Sequence, residues 1–327
     1  MTQPVSENAP RWKIIAAFAA VYIIWGSTYL GIRFAIETLP PFLMAGTRFL
    51  IAGAILYAWR RLQGARQPVR LHWRSAAIIG GLMLLGGSGG VTWGEQTVPS
   101  GLAALLVATV PIWIAALDAL RPGGTRPSGG VIAGLLLGFL GIALLVGPES
   151  LAGNGTLHLA GLLVIIAGSL SWAIGSLYSK EAPLPEDPLQ GIGMEMLMGG
   201  AWLWLVGTVT GEWARLDLGA VSLRSWGALA YLTLAGSLVG FSAYVWLLRV
   251  VPPARAATYA YVNPVVAVML GWALAGESLG PMTLVAAAVI ILGVIITTTA
   301  RGRTVAAAEP EAPPILARPV GAVPGDD

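Results

Sequence analysis

Residues 14–36 read IIAAFAAVYIIWGSTYLGIRFAI and carry a single charge, Arg33, in 23 positions. A hydrocarbon core about 30 Å thick takes about 20 apolar residues of helix to cross, so this run is long enough. It is continuously apolar and does not alternate, which reads as helix; a barrel strand would alternate over about ten residues. Arg11 and Lys13 precede it, and no short apolar core leads to a small-residue cleavage site, so it reads as a retained span. The same reading, carried outward, gives further spans at 41–59, 75–95, 99–118, 129–147, 159–179, 189–211, 225–248, 253–275 and 281–300. The whole chain agrees: 56% of its 327 residues are hydrophobic, only 11% are charged, and the mean hydropathy is +0.75. Soluble domains average about 25% charged residues. The fold class is therefore an all-α integral membrane protein with ten transmembrane helices, its 43 Gly and 13 Trp suiting close helix packing and interfacial anchoring.

The distribution of charge sets an orientation. With both termini in the cytoplasm, 15 of the 19 Lys and Arg fall on cytoplasmic segments, 60–74 the richest among them. Arg33, Arg215 and Arg224 remain outside, and Arg48 lies within a span. Such a bias is the positive-inside rule, and omitting any span would scramble it. The absence of Cys excludes disulfides, thiolate catalysis and Cys-ligated metal.

The chain also repeats. A shift of 147 pairs Trp25 with Trp172, Pro41 with Pro188, Gly46 with Gly193 and Gly53 with Gly200. A shift of 153 pairs VTWGEQTVPSGLAALLVATVP (91–111) with YVWLLRVVPPARAATYAYVNP (244–264), matching Trp93 with Trp246, Pro99 with Pro252 and Pro111 with Pro264. Two units follow, 14–147 and 159–300, joined by an external linker at 148–158 and flanked by an N-terminal tail (1–13) and an Ala-, Pro- and Glu-rich tail (301–327) that reads as disordered. Five helices per unit is an odd number, so the second enters the membrane upside down, a recurring plan among secondary transporters.

WGSTYLGIRFAI, PPFLMAGTRFLIAGAIL and EQTVPSGLAALLVATVPIW resemble the first repeat of the EamA family of the drug/metabolite transporter superfamily, and YVNPVVAVMLGWALAGESLG resembles the end of the second. The likeness runs over about residues 14–300 and is nearest the family's inner-membrane exporters. It implies ten helices around a central cavity and export of small organic metabolites or drugs, with no cofactor, metal or nucleic-acid partner. It does not imply one substrate.

Candidate site residues are those a lipid-facing helix would not carry. Arg48 sits well inside the second span, where a charge costs at least about 2.5–3.5 kcal/mol, so it faces protein or a watery cavity. It either caps carbonyls and locks helices or meets solute. Glu195, its repeat partner, is the clearest carboxylate within a span; it carries a proton, pairs with Arg48, or faces cytoplasmic water. Trp25, Tyr29 and Arg33 share one face of the first span at i, i+4 and i+8, and Trp172, Ser176 and Lys180 repeat this on the sixth. Both sets suit a cavity wall ending in a cation. Pro111 and Pro264 interrupt the fourth and ninth spans and are candidate hinges; Tyr259 and Asn263 share a face beside the second break.

Other motifs carry less. Gly86-Gly87-Ser88-Gly89-Gly90 matches a hydrolase elbow, but it lies in a span, and His72 and His158 sit in or beside loops. No Gly-rich Lys motif for ATP occurs. The sequence reading is a secondary transporter of small molecules in the inner membrane, not an enzyme. A membrane-embedded enzyme and a non-transporting receptor or scaffold are the alternatives.

Overall fold

The computed structural model describes residues 10–120, 128–151, 158–250, 259–277 and 280–308. Its elements are helical throughout. We label them α1 (Arg11–Ala35), α2 (Pro41–Leu62), α3 (Arg70–Gly94), α4 (Ser100–Val107 and Val110–Leu120), α5 (Gly129–Leu151), α6 (Leu159–Ser179), α7 (Pro188–Val209), α8 (Leu223–Tyr231, Leu232–Val239 and Gly240–Val250), α9 (Tyr259–Ala275) and α10 (Pro281–Ala308). Among the described residues, seven of these are long and apolar enough to cross a membrane, and apolar stretches of α5, α9 and α10 are shorter. Together they fall on the ten segments read from sequence.

Boundaries differ in places. α10 continues to Ala308, into the stretch assigned to the C-terminal tail, and α5 runs to Leu151. Residues 309–327, 152–157 of the linker and 253–258 of the ninth span lie outside the described residues. α4 is broken at Ala108–Thr109, just before Pro111. Pro111 has no N–H to continue the ladder, and Thr109 turns its hydroxyl onto the Leu106 carbonyl (2.5 Å).

Two helix pairs pack most extensively, α2 with α7 and α5 with α10. Glycine makes both possible. A Cβ on Gly53 would stand 2.8 Å from the Gly193 carbonyl oxygen, and one on Gly200 would stand 3.0 Å from that of Gly46. Gly46 and Gly193 are repeat partners, as are Gly53 and Gly200, so the contact is reciprocal and the two helices run antiparallel. In the second pair, Gly134 and Gly293 face each other's carbonyls in the same way, at 2.7 and 2.8 Å from an added Cβ. Only glycine permits such backbone approach.

The α2–α7 pair is fastened at both ends. At one end Arg60 donates to Asp187, from Nε at 2.7 Å and from Nη2, while the Asp187 carboxylate caps α7 by accepting from the Leu189 and Gln190 N–H groups. At the other end buried Glu212, just after α7, accepts from the N–H groups of Phe42 (3.2 Å) and Leu43 (2.9 Å) at the start of α2. A carboxylate there also meets the positive end of the helix dipole.

α1, α3 and α8 each contain a π-helical stretch, at Val21–Trp25, Gly80–Gly89 and Leu232–Val239. At the 153-residue shift, 80–89 maps onto 233–242, so the last two overlap in the repeat. Such bulges widen a helix turn and expose carbonyls to side chains, and they are frequent at functional sites.

Candidate functional site

The π-helical stretch of α8 is where the polar side chains of the first half converge. The indole N–H of Trp25 on α1 donates to the Gly236 carbonyl at 3.1 Å. One residue on, the Ser237 hydroxyl accepts from Nε of Arg48 on α2 at 2.9 Å and itself donates to the Leu232 carbonyl. Arg48 is 6% exposed and lies over the Phe49 ring, 4.5 Å from its centroid. The intramembrane cation is thus held by protein, with a hydroxyl and a ring in place of water. It turns to Ser237 and not to Glu195; no ion pair joins Arg48 and Glu195 among the described residues.

Aromatic side chains build a wall beside this junction. Trp25 packs edge-on to Phe241 (centroids 5.2 Å) and Tyr259 (5.2 Å) and tilted to Tyr244 (5.1 Å), and Tyr244 meets Tyr259 edge-on at 5.6 Å. Asn263 is buried one turn after Tyr259, its amide placed to donate to the carbonyls of Tyr22 and Tyr259, both at 3.3 Å. Gly26 lets α1 approach here, since a Cβ on it would stand 3.2 Å from the Asn263 carbonyl. Pro264 follows inside a continuous helix. Tyr29, one turn beyond Trp25, lies within electrostatic range of Tyr259 on one side and Glu95 on the other. Trp25, Tyr29, Arg48, Tyr259 and Asn263 are therefore neighbours around α8 and α9.

Of the second set from the sequence, Trp172 and the Glu195 backbone meet α3, while Ser176 bonds within α6. A Cβ on Gly87 would stand 2.7 Å from the Trp172 ring, and one on Gly240 would likewise press on the Trp25 ring, 2.8 Å from its Cδ1 and closer still to Nε1. Gly87 and Gly240 are partners at the 153-residue shift, so repeat-related tryptophans pack on repeat-related glycines. The Ser176 hydroxyl donates to its own helix, at the Trp172 carbonyl (2.7 Å). Glu195 is half-buried, and its backbone carbonyl would meet a Cβ added at Gly80 of α3. Trp172 and Phe241 flank one shared apolar cluster that includes Phe49, Leu84 and Met196.

Several site residues were not singled out from sequence. Ser237, Phe241 and Tyr244 lie at i, i+4 and i+7, a stripe on one face of α8 that helical spacing would have exposed. By sequence Glu95 stands at the very end of the third span and Glu277 in the short turn after the ninth, where both resemble ordinary solvated acids. The structure places them otherwise. Glu277 accepts from the Ser100 N–H (2.7 Å), the Ser100 hydroxyl (2.7 Å) and the Gly101 N–H (3.0 Å), capping α4. Glu95 is fully buried, and neither carboxyl oxygen has a hydrogen-bond partner among the described residues. Burial holds the Glu95 carboxyl well above the usual carboxylate range; the negative charge of Glu277 adds to this and the Arg33 cation opposes it. Arg33 itself donates to the Glu95 backbone carbonyl at 2.8 Å.

Residues 11–147 and 159–299 each match the EamA-like transporter family. The chain belongs to that family. It is 41% identical over 305 residues to the uncharacterized inner membrane transporter YedA of Escherichia coli strain K12, covering 93% of this chain and 95% of YedA. It is 26% identical to the uncharacterized transporter YoaV of Bacillus subtilis strain 168, covering 88% of this chain and 97% of YoaV. A crystal structure of another protein superposes over 89% of this chain and 99% of its own, with a TM-score of 0.58 at 22% identity, which supports the fold. The chain is thus a multi-pass membrane protein of two repeats in a transporter family.

Proposed function

We propose that this EamA-family protein is a secondary transporter of the inner membrane that exports small organic solutes by alternating access. One observation carries the reading: Trp25, Tyr244 and Tyr259 form an aromatic wall next to a buried cation, Arg48, at a π-helical junction between the two halves. Aromatic faces with a few fixed polar groups are the usual lining of small-molecule sites. The ring faces receive apolar or cationic parts of a solute, while Arg48, whose Nε alone is taken by Ser237, offers its remaining N–H groups to a carboxylate or carbonyl. An amphipathic, amino-acid-like or drug-like solute matches that combination.

The repeats support the rocking motion. Two repeat-related helices, α2 and α7, cross antiparallel through reciprocal glycines, as an inverted duplication requires. Under the positive-inside bias, both termini, the 63–69 turn and the 180–187 turn face the cytoplasm, and the turns at 95–99 and 210–222 face outward. Pro111 and Pro264 are the proposed hinges, where α4 breaks and α9 lacks a ladder bond.

The test is a solute-loss screen comparing cells that express the protein with cells that lack it, followed by flux of the identified solute in proteoliposomes. Trp25→Ala and Tyr259→Ala each remove a ring from the wall. Flux should fall at least about tenfold in both while insertion and fold are kept, a loss of about 1.4 kcal/mol in binding or barrier per ring. Full flux in both variants would refute the aromatic wall as the solute site.

A further inference from the structure

Glu95 stands apart from every other acid described above. It is 0% exposed, and neither carboxyl oxygen is hydrogen-bonded among the described residues. Glu212 and Glu277, two other acids near this face, accept two and three hydrogen bonds at helix N-termini. An ionised carboxylate without hydrogen bonds or water is prohibitively costly in a protein interior, and such a group takes up a proton instead. The charged and titratable groups that face it are Arg33 and Tyr29 from α1 and Glu277 from the turn after α9; no described residue on its own turn adds another. The Arg33 cation opposes protonation, but its guanidinium donates to the Glu95 backbone carbonyl and no hydrogen bond from it reaches either carboxyl oxygen.

The place matters as much as the group. The 95–99 turn lies between the end of α1 and the start of α4, within the apolar seal formed by Ile32, Ala35, Leu39, Val98 and Leu102. Ser225 at the start of α8 and Thr38 tie the same end of α1 down, at 2.8 Å between hydroxyls, with Ser225 donating to the Phe34 carbonyl at 2.9 Å. Parting α1 from α4 and α9 at this end would admit water to Glu95 and leave it beside Arg33, which favours the anion. The closed and open forms of this mouth therefore bind a proton with different strength.

We propose that Glu95 is a proton-binding site linked to the outer gate: closing takes one proton from external water onto its carboxylate, and opening returns it. The proposal rests on the transporter reading only for the word gate, since the proton linkage is measurable without any solute. Linkage of one proton makes the open-to-closed ratio rise up to about tenfold per pH unit between the carboxyl's pKa values in the two forms.

The native chain has no Cys, so a single introduced thiol reports on the seal. Ala35→Cys puts one in the seal and Gly219→Cys puts one on an exposed turn of the same face. Each variant is held in nanodiscs and labelled with a water-soluble thiol reagent. The labelling rate of Ala35→Cys is divided by that of Gly219→Cys to remove the thiol's own ionisation. Between about pH 5.5 and 9 the ratio should rise at least about tenfold in an otherwise native background, as linkage of one proton allows. With Glu95→Gln, which mimics the protonated acid, it should stay low and flat. Glu277→Gln, which removes a neighbouring negative charge, should move the midpoint to lower pH and gives a second reading should Glu95→Gln fail to fold. A flat ratio in the native background, an unchanged rise in Glu95→Gln, or a midpoint raised by Glu277→Gln would overturn the site. Proton-linked labelling in a protein that moves no solute would refute the transporter reading alone; solute flux with flat labelling would refute the proton site alone.

Discussion

Adding one methyl group at Gly53 tests the packing on which the two-repeat architecture depends. Its Cβ would lie 2.8 Å from the Gly193 oxygen, 2.8 Å from the Leu197 nitrogen and 2.9 Å from the Met196 Cβ. Carbon and carbonyl oxygen ordinarily approach to about 3.3–3.6 Å, so α2 and α7 must separate by roughly half an ångström. Backbone atoms cannot rotate away as a side chain can, and the helices are stiff, so the separation also loosens the contact at Gly46. Overpacking of this kind costs about 1–3 kcal/mol. Gly200→Ala, at the repeat-equivalent position, meets the Leu50 nitrogen at 2.9 Å and the Gly46 oxygen at 3.0 Å, so it should cost a similar amount. Gly227→Ala is the counter-case: it lies on the exposed side of α8 with nothing within 4 Å of an added Cβ, and Ala there should stabilise the helix by about 0.5–1 kcal/mol. Unfolding midpoints in mixed micelles with rising SDS measure all three. A Gly53→Ala variant that unfolds like the native protein, or opposite responses at Gly53 and Gly200, would refute the glycine-dependent crossing.

Three further outcomes are expected, the first from the charge bias of the sequence. Cys placed at Gly219 should be labelled by an impermeant reagent on intact cells and Cys at Arg66 only after lysis; the reverse pattern would invert the orientation. At Asp187 burial works against ionisation, but hydrogen bonds from Arg60, Gln190 and Leu189 and the charge of Arg60 outweigh it and hold the carboxyl below its ordinary value. Its stabilisation is therefore complete above the unfolded value of about 3.9 and is lost as pH falls through the folded one, so acid should lower the native unfolding midpoint more steeply than that of Asp187→Asn. Glu195→Gln keeps shape and removes titration; it should leave most downhill flux in proteoliposomes, and loss of proton-driven accumulation in this variant would make Glu195 the coupling acid.

The ten-helix fold was legible because its signals are long and redundant. A span needs about 20 apolar residues, and the offsets 147 and 153 recur at tryptophan, proline and glycine, residues whose shape cannot be exchanged freely. The structure explains why those residues repeat. Gly46 and Gly53 each meet the other's repeat image, Gly200 and Gly193, and Trp25 and Trp172 pack on Gly240 and Gly87. What the periodicity did not reveal is local geometry. The π-helical stretch at Leu232–Val239 has the composition of any apolar helix, LTLAGSLV, and the break at Ala108–Thr109 precedes the proline that causes it.

The candidate site was legible only in the part that violates a rule of membrane helices. Arg48 stood out because a cation inside hydrocarbon is costly, but its partner, Ser237, is a hydroxyl that α8 could have bonded to its own backbone alone. Sequence spacing gave Trp25 and Tyr259 as separate candidates, and only the approach of α1 to α9 at Gly26 joins them. Glu95 shows the limit most sharply. In sequence it is an acid next to a turn, where acids are ordinarily solvated, and nothing in WGEQTVP marks it as buried. Its surroundings come from parts of the chain distant in sequence, among them the end of α1 with Arg33 and the acid Glu277 after α9. Under the proposed gating, α1 would move away from Glu95 and Glu277 as this mouth opens, so the acid hidden from sequence reading is the one whose protonation would follow the gate.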